Sequence, residues 1–209
     1  MLKLFYSPAS PFVRKVLVAA HETGQIDRIE KLAAAAHPVN RDMEIVARNP
    51  LGKVPTAIDG EGQAIYDSRV VCEYLDAQST GIRIFPQEGP RRWAALVQQA
   101  LGDGLIDAAL LARYESNVRP AEFQWKPWRD GQIAKIDSAL DVIETVAPEL
   151  GGDVTIGSIT IGCALAYLDF RFADHGWRNG RPQAAAWFET FSARPSMAAT
   201  YAHDAAPAR

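Results

Sequence analysis

Leu2-Lys3-Leu4-Phe5-Tyr6-Ser7-Pro8-Ala9-Ser10-Pro11-Phe12-Val13 follows the initial methionine. Leu2 to Tyr6 alternates and reads as a short buried strand, and Ser7-Pro8-Ala9 reads as a loop. From Pro11 onward, Val13, Val16, Leu17 and Ala20 recur at helical spacing. Ser10 therefore stands at a strand-to-helix junction, with Pro11 in the first helical position, where its missing N–H costs nothing. A hydroxyl there lies beside free backbone N–H groups that favour an anion, such as a thiolate. The commonest job of a serine at this position is to cap the helix.

Asn49-Pro50-Leu51-Gly52-Lys53-Val54-Pro55 leads into Thr56-Ala57-Ile58, a short apolar strand. Asp59-Gly60-Glu61-Gly62 makes a turn and Ala64-Ile65-Tyr66 supplies the second strand of a hairpin. Proline removes a ladder donor inside a strand, so Val54-Pro55 at the strand entrance is expected to be a cis bond kept for a turn or a site. Asp67-Ser68 then precedes Val70, Val71, Tyr74 and Leu75 at helical spacing. This is a second hydroxyl at a helix start, a natural cradle for a carboxylate.

With these three motifs the chain resembles a cytosolic glutathione S-transferase of the bacterial, serine-type kind. Ser10-Pro11-Phe12-Val13 is similar to the Cys-Pro-x-Cys turn of glutaredoxins, with serine in place of the first cysteine. Val54-Pro55 resembles the cis-proline dipeptide of thioredoxin-like folds. Asp67-Ser68 resembles the Glu/Gln-Ser pair with which these transferases hold the γ-glutamyl end of glutathione. The resemblance covers essentially the whole chain. It implies an α/β thioredoxin-like domain at 1–79, a linker at 80–89 and an all-helical bundle domain at 90–209, assembled as a homodimer.

The same resemblance assigns roles. Ser10 donates its O–H to the glutathione sulfur, and the Val54 backbone, set by Pro55, pairs with the cysteinyl amide. Ser68 suits the γ-glutamyl carboxylate, Asp67 the ammonium and Lys53 the glycine carboxylate. The electrophile is expected between the two domains, with Ala9 and Phe12 on one side and Arg113 and Tyr114 on the other. Asp103 or Asp107 is expected to help hold the partner's glutathione. Glutathione is the co-substrate and no metal is implied. Serine at position 10 points to thiol activation and transfer, in detoxification or in a specific metabolic step, because only a cysteine there would support thiol–disulfide exchange. The alternative is a non-catalytic module that uses the same fold to bind a protein partner. Tyr6, the rival activator, is expected to belong to the strand.

The rest of the sequence sets bounds. A net charge of −3 over 209 residues gives no electrostatic reason to expect nucleic acid or an anionic membrane surface. No stretch reads as the ~20 apolar residues that span a bilayer, and the absence of a signal-peptide pattern leads to the expectation of a cytoplasmic protein. Cys72 and Cys163 fall on apolar helix faces and read as buried thiols. Trp93, Leu96, Val97, Ala100, Leu101, Gly104, Leu105, Ala108 and Leu111 form an apparent core stripe, and Ile133, Ile136, Leu140 and Ile143 another. Thr155 reads as the cap of a long buried helix, with Ser158 where related transferases usually carry aspartate. Residues 203–209 read as a frayed tail.

Overall fold

The computed structural model describes residues 1–204, so the expected tail lies outside the described residues beyond Asp204. Strand β1 (Leu2–Tyr6) leads through Ser10 into α1 (Pro11–Glu22), and β2 (Ile29–Ala33) returns beside it. A short helix α2 (Met43–Val46) precedes the hairpin of β3 (Thr56–Ile58) and β4 (Ala64–Ile65), which feeds α3 (Ser68–Gln78). The sheet order is β2-β1-β3-β4. β1 and β2 are parallel with Tyr6 opposite Ala33, as expected for strands joined by a helical crossover. β3 runs antiparallel to β1, with Thr56 opposite Phe5, and β4 antiparallel to β3, with Ile65 opposite Ala57. This register has one consequence for function. The C-terminal ends of β1, β2 and β4 and the N-terminal end of β3 share one edge of the sheet.

Apolar residues of α1 and α3 cover the sheet, with Leu4, Val16, Val18, Ala57, Val71 and Cys72 fully buried. The segment after α3 does not behave as a free linker. Asp76 accepts backbone N–H bonds from Ile84 (2.6 Å) and Phe85 (3.2 Å), and both of these side chains are buried.

Helices α4 (Gly89–Asn117), α5 (Lys126–Val146), α6 (Ile156–Arg171) and α7 (Pro182–Ser192) make the helical part. Two compact units result, one of residues 93–194 and one of residues 1–92 joined by the returning C-terminal segment. The division falls inside α4, and residues 195–204 leave the expected helical domain. The cause lies in α1 and in α8 (Pro195–Ala198): Arg14 donates to the Met197 carbonyl at 3.0 Å, and Ser196 donates to the Glu22 carboxylate at 2.5 Å.

The stripe read on α4 is corrected. Trp93 and Val97 are 66% and 67% exposed and Leu111 is also exposed, whereas Ala95, Gly102, Ala109 and Ala112 turn inward with Leu105 and Ile106. Small residues let α4 approach α6 closely: a Cβ on Gly102 would lie 2.9 Å from the Thr160 methyl, and one on Gly157 2.6 Å from the Gln98 Cβ. By length and composition α4 is also apolar enough to cross a bilayer, contrary to the sequence reading. Gln99, Asp103 and Glu115 on its buried side mark it as a core helix instead.

Helix α6 is buried on all sides from Ile156 to Leu168. Its capping box is complete: Ser158 N–H donates to Thr155 Oγ1 (3.3 Å) and Thr155 N–H to Ser158 Oγ (2.9 Å). The serine thus reaches back as an acidic residue would.

Candidate active site

Ser10 is the N-cap of α1. Its Oγ accepts the Val13 N–H at 3.2 Å, its carbonyl accepts the Arg14 N–H at 3.0 Å, and its own N–H is held by the Ser7 carbonyl at 3.1 Å. With Pro11 following, the serine is fixed in an extended conformation at the helix mouth. Accepting the cap bond leaves the hydroxyl hydrogen to donate elsewhere. Ala9 and Phe12 flank it, both half-buried, with the Lys15 ammonium 5.6 Å from the Phe12 ring centre.

Tyr6 ends β1 with the Lys31 ammonium 4.7 Å from its ring centre, a strand residue as expected. Burial raises its hydroxyl pKa above the ordinary phenol value. A phenol moved in that direction stays protonated.

The loop before β3 is built on a buried polar pair that the sequence reading missed. Asn49 Nδ2 donates to Thr56 Oγ1 (2.8 Å) and to the Lys53 carbonyl (3.4 Å), and Thr56 Oγ1 donates to that same carbonyl at 2.8 Å. Asn49 Oδ1 accepts the Leu51 N–H at 3.0 Å, and Asn49 and Thr56 are both buried. Gly52, at φ +64°, gives the turn its left-handed residue, while Arg41 donates to the Pro50 carbonyl. The Val54–Pro55 bond is cis. Among the described residues the Val54 backbone N–H and carbonyl enter no hydrogen bond. Lys53 is exposed. The only sequence signal for this network was Asn49-Pro50, a turn-forming pair.

Asp67 caps α3, its Oδ1 accepting the Arg69 N–H at 2.9 Å, and the Tyr66–Asp67 bond is cis. Ser68, the first residue of α3, is buried, and Asp67 beside it is exposed. The sheet register brings Ser10, Lys53-Val54-Pro55 and Asp67-Ser68 to one edge, with the N-termini of α1 and α3 there as well. The loop after β2 reaches the same edge. In it Asp42 clamps the chain, accepting N–H bonds from Ala35 (2.9 Å), Glu44 (3.0 Å) and Ile45 (3.5 Å). These bonds hold its carboxyl below the ordinary aspartate range. His37 Nδ1 accepts from the Val39 and Asn40 N–H groups, a turn within the loop.

Residues 9–78 match the glutathione S-transferase N-terminal domain family, and residues 126–190 match the glutathione S-transferase C-terminal domain family. The chain is 34% identical to the uncharacterized GST-like protein YibF of Escherichia coli (strain K12), over 95% of this chain and 98% of that protein. The chain belongs to the glutathione S-transferase family. A glutathione transferase family member from Pseudomonas fluorescens Pf-5, solved with bound glutathione, is 46% identical and superposes with a TM-score of 0.95 over 97% of this chain and 100% of the other. A second structure from the same organism, with bound S-(propanoic acid)-glutathione, gives a TM-score of 0.91 at the same identity and coverage. This family member has the thioredoxin-like unit and the helical unit of the fold.

In the helical unit, Arg113 and Tyr114 are half-buried near the end of α4. Asp103 is fully buried, whereas Asp107 stands exposed, so only Asp107 is accessible from outside this unit.

Proposed function

We propose that this protein is a glutathione transferase in which Ser10 holds the glutathione sulfur as a thiolate for attack on a small electrophile. The observation that carries the reading is the Ser10 cap. Its oxygen is occupied by the Val13 N–H, which frees its hydrogen to donate to sulfur at the positive end of α1. A free thiol is poorly ionised at neutral pH, and the thiolate is the nucleophile. A donor and a helix N-terminus aimed at the developing anion lower the thiol pKa; the proton leaves to solvent and the sulfur attacks.

The remaining groups suit the tripeptide. The Val54 backbone, held by Pro55, pairs with the cysteinyl amide; Ser68 with the α3 N-terminus takes the γ-glutamyl carboxylate; Asp67 takes the ammonium; Lys53 takes the glycine carboxylate. Ala9, Phe12, Arg113 and Tyr114 are proposed as contacts for the electrophile. That a 46% identical relative binds glutathione supports the reading. We also propose a homodimer, supported by the exposed Trp93 and Val97 on α4.

Calorimetric titration with reduced glutathione tests the site. Saturable binding is expected, and Ser68→Ala should weaken it by about 1–3 kcal/mol, the cost of losing a buried hydrogen bond to a charged group. Unchanged affinity in the mutant would move the γ-glutamyl subsite elsewhere, and no binding by the wild type would end the transferase reading.

A further inference from the structure

The helical unit holds a cavity of about 540 Å³ where the end of α4, the first turns of α5 and the turn after α6 meet. Arg113, Arg129 and Arg171 line it beside the apolar Ile133 and Phe170. Two carboxylates also line it. Asp130 is engaged by Lys126 at 2.5 Å, and Asp174 lies in an exposed turn.

Elsewhere in this unit guanidinium groups are paired with carboxylates, Arg119 with Glu115, Arg178 with Asp169 and Arg181 with Asp141. Arg113 and Arg129 have no such partner among the described residues. Arg171 hydrogen-bonds the hydroxyl of Tyr167, and Arg113 lies close enough to act on that phenol and on Tyr114. Arg113 and Arg171, which both act on the Tyr167 phenol, also line the cavity. Burial outweighs the arginines and pushes the Tyr167 hydroxyl up to about 12, so this group remains a neutral donor. His175 also lines the cavity, its buried Nδ1 without a hydrogen-bond partner among the described residues and its Nε2 3.3 Å from Asp137.

Guanidinium groups beside an apolar wall fit a planar carboxylate on a small hydrocarbon body. We propose that this cavity binds a small organic acid, its carboxylate anchored by Arg113 and its body packed on Ile133 and Phe170. Two sources share this chemistry, the electrophile itself and an acid that is not consumed. Because Arg113 was assigned above to the electrophile, the first source rests on the transferase reading; binding of the acid does not.

The test is calorimetric titration of the full chain, without glutathione, using 4-methylbenzoate and 4-methylbenzamide as probes. The acid should bind saturably and the isosteric amide at least tenfold more weakly. Arg113→Gln should lower affinity for the acid at least tenfold, and Arg113→Lys, which keeps the charge, should restore part of it. Circular dichroism checks that both variants are folded. Equal binding of acid and amide, or full affinity in folded Arg113→Gln, would overturn the proposal.

A second arm separates the sources by supplying glutathione with 4-(chloromethyl)benzoate or its amide. In turnover the C–S bond forms, the C–Cl bond breaks, chloride leaves with the bonding electrons and the thiol proton goes to solvent. A preference for the acid that disappears in Arg113→Gln identifies the bound acid as electrophile. Binding without such a preference identifies a non-substrate acid. Failure of glutathione to bind would end the transferase reading and leave the first arm intact.

Discussion

Ser10 carries two loads on one oxygen and one hydrogen. The oxygen satisfies the Val13 N–H at the start of α1, and the hydrogen is the proposed donor to sulfur. Ser10→Ala removes both and separates them by readout. Loss of the cap should cost about 1 kcal/mol of stability, seen as a lower midpoint in thermal or denaturant unfolding. Loss of the donor should reduce turnover by roughly tenfold to a hundredfold and move the pH–rate profile to higher pH, because the bound thiol ionises less readily. Glutathione affinity should change little, since the contacts proposed for the tripeptide lie elsewhere. Tyr6→Phe should leave the profile in place, as expected for a phenol that burial keeps protonated. A profile that moves in Tyr6→Phe and stays fixed in Ser10→Ala would exchange their roles.

At the scale of elements, the site edge depends on loops pinned by single polar side chains. Asp42 is one: its carboxylate closes the loop after β2 and caps α2. Because its folded pKa is depressed, it adds stability that is present above the ordinary aspartate range and is lost as pH falls through the lower, folded value. Unfolding midpoints measured from neutral to acidic pH should therefore fall less steeply in Asp42→Asn than in the wild type; an identical slope would show that the clamp is not formed. The α4–α6 contact makes a different demand. Alanine is a better helix former than glycine by about 1 kcal/mol, yet a Cβ on Gly157 would press on the Gln98 side chain and lie 2.9 Å from the Ala95 carbonyl. Overpacking should win, and Gly157→Ala should destabilise the protein by about 1–3 kcal/mol. A raised unfolding midpoint would mean that the two helices can part without cost.

For the molecule as a whole, what could be read in advance was what acts over a few residues. Ser10-Pro11, Val54-Pro55, Asp67-Ser68 and Thr155 announce caps and turns through local chemistry, and the first three locate the edge of the sheet at which they meet. The Asn49–Thr56 pair was hidden because a polar bond across a loop leaves no periodic trace. The inward face of α4 was misread because Ala95, Gly102 and Ala109 bury backbone instead of bulk, while the larger Trp93 and Val97 lie outside. The return of α8 to α1 hangs on long-range bonds from Arg14 and Glu22, which no local pattern encodes. The misread stripe nonetheless has a use. Trp93 and Val97 share one exposed face of α4, and Val142 is exposed on α5 beside the groove that Leu101 lines. Apolar surface gathered this way marks an interaction site more often than a solvated face, and a second copy of this chain is the occupant proposed above. Light scattering on the purified protein should therefore give twice the chain mass, and Trp93→Glu with Val97→Glu should shift it to one. Both positions are exposed in the single chain, so the double variant should remain folded by circular dichroism. A wild type that stays monomeric at concentrations well above those used for activity would remove the homodimer and leave the stripe for a different partner.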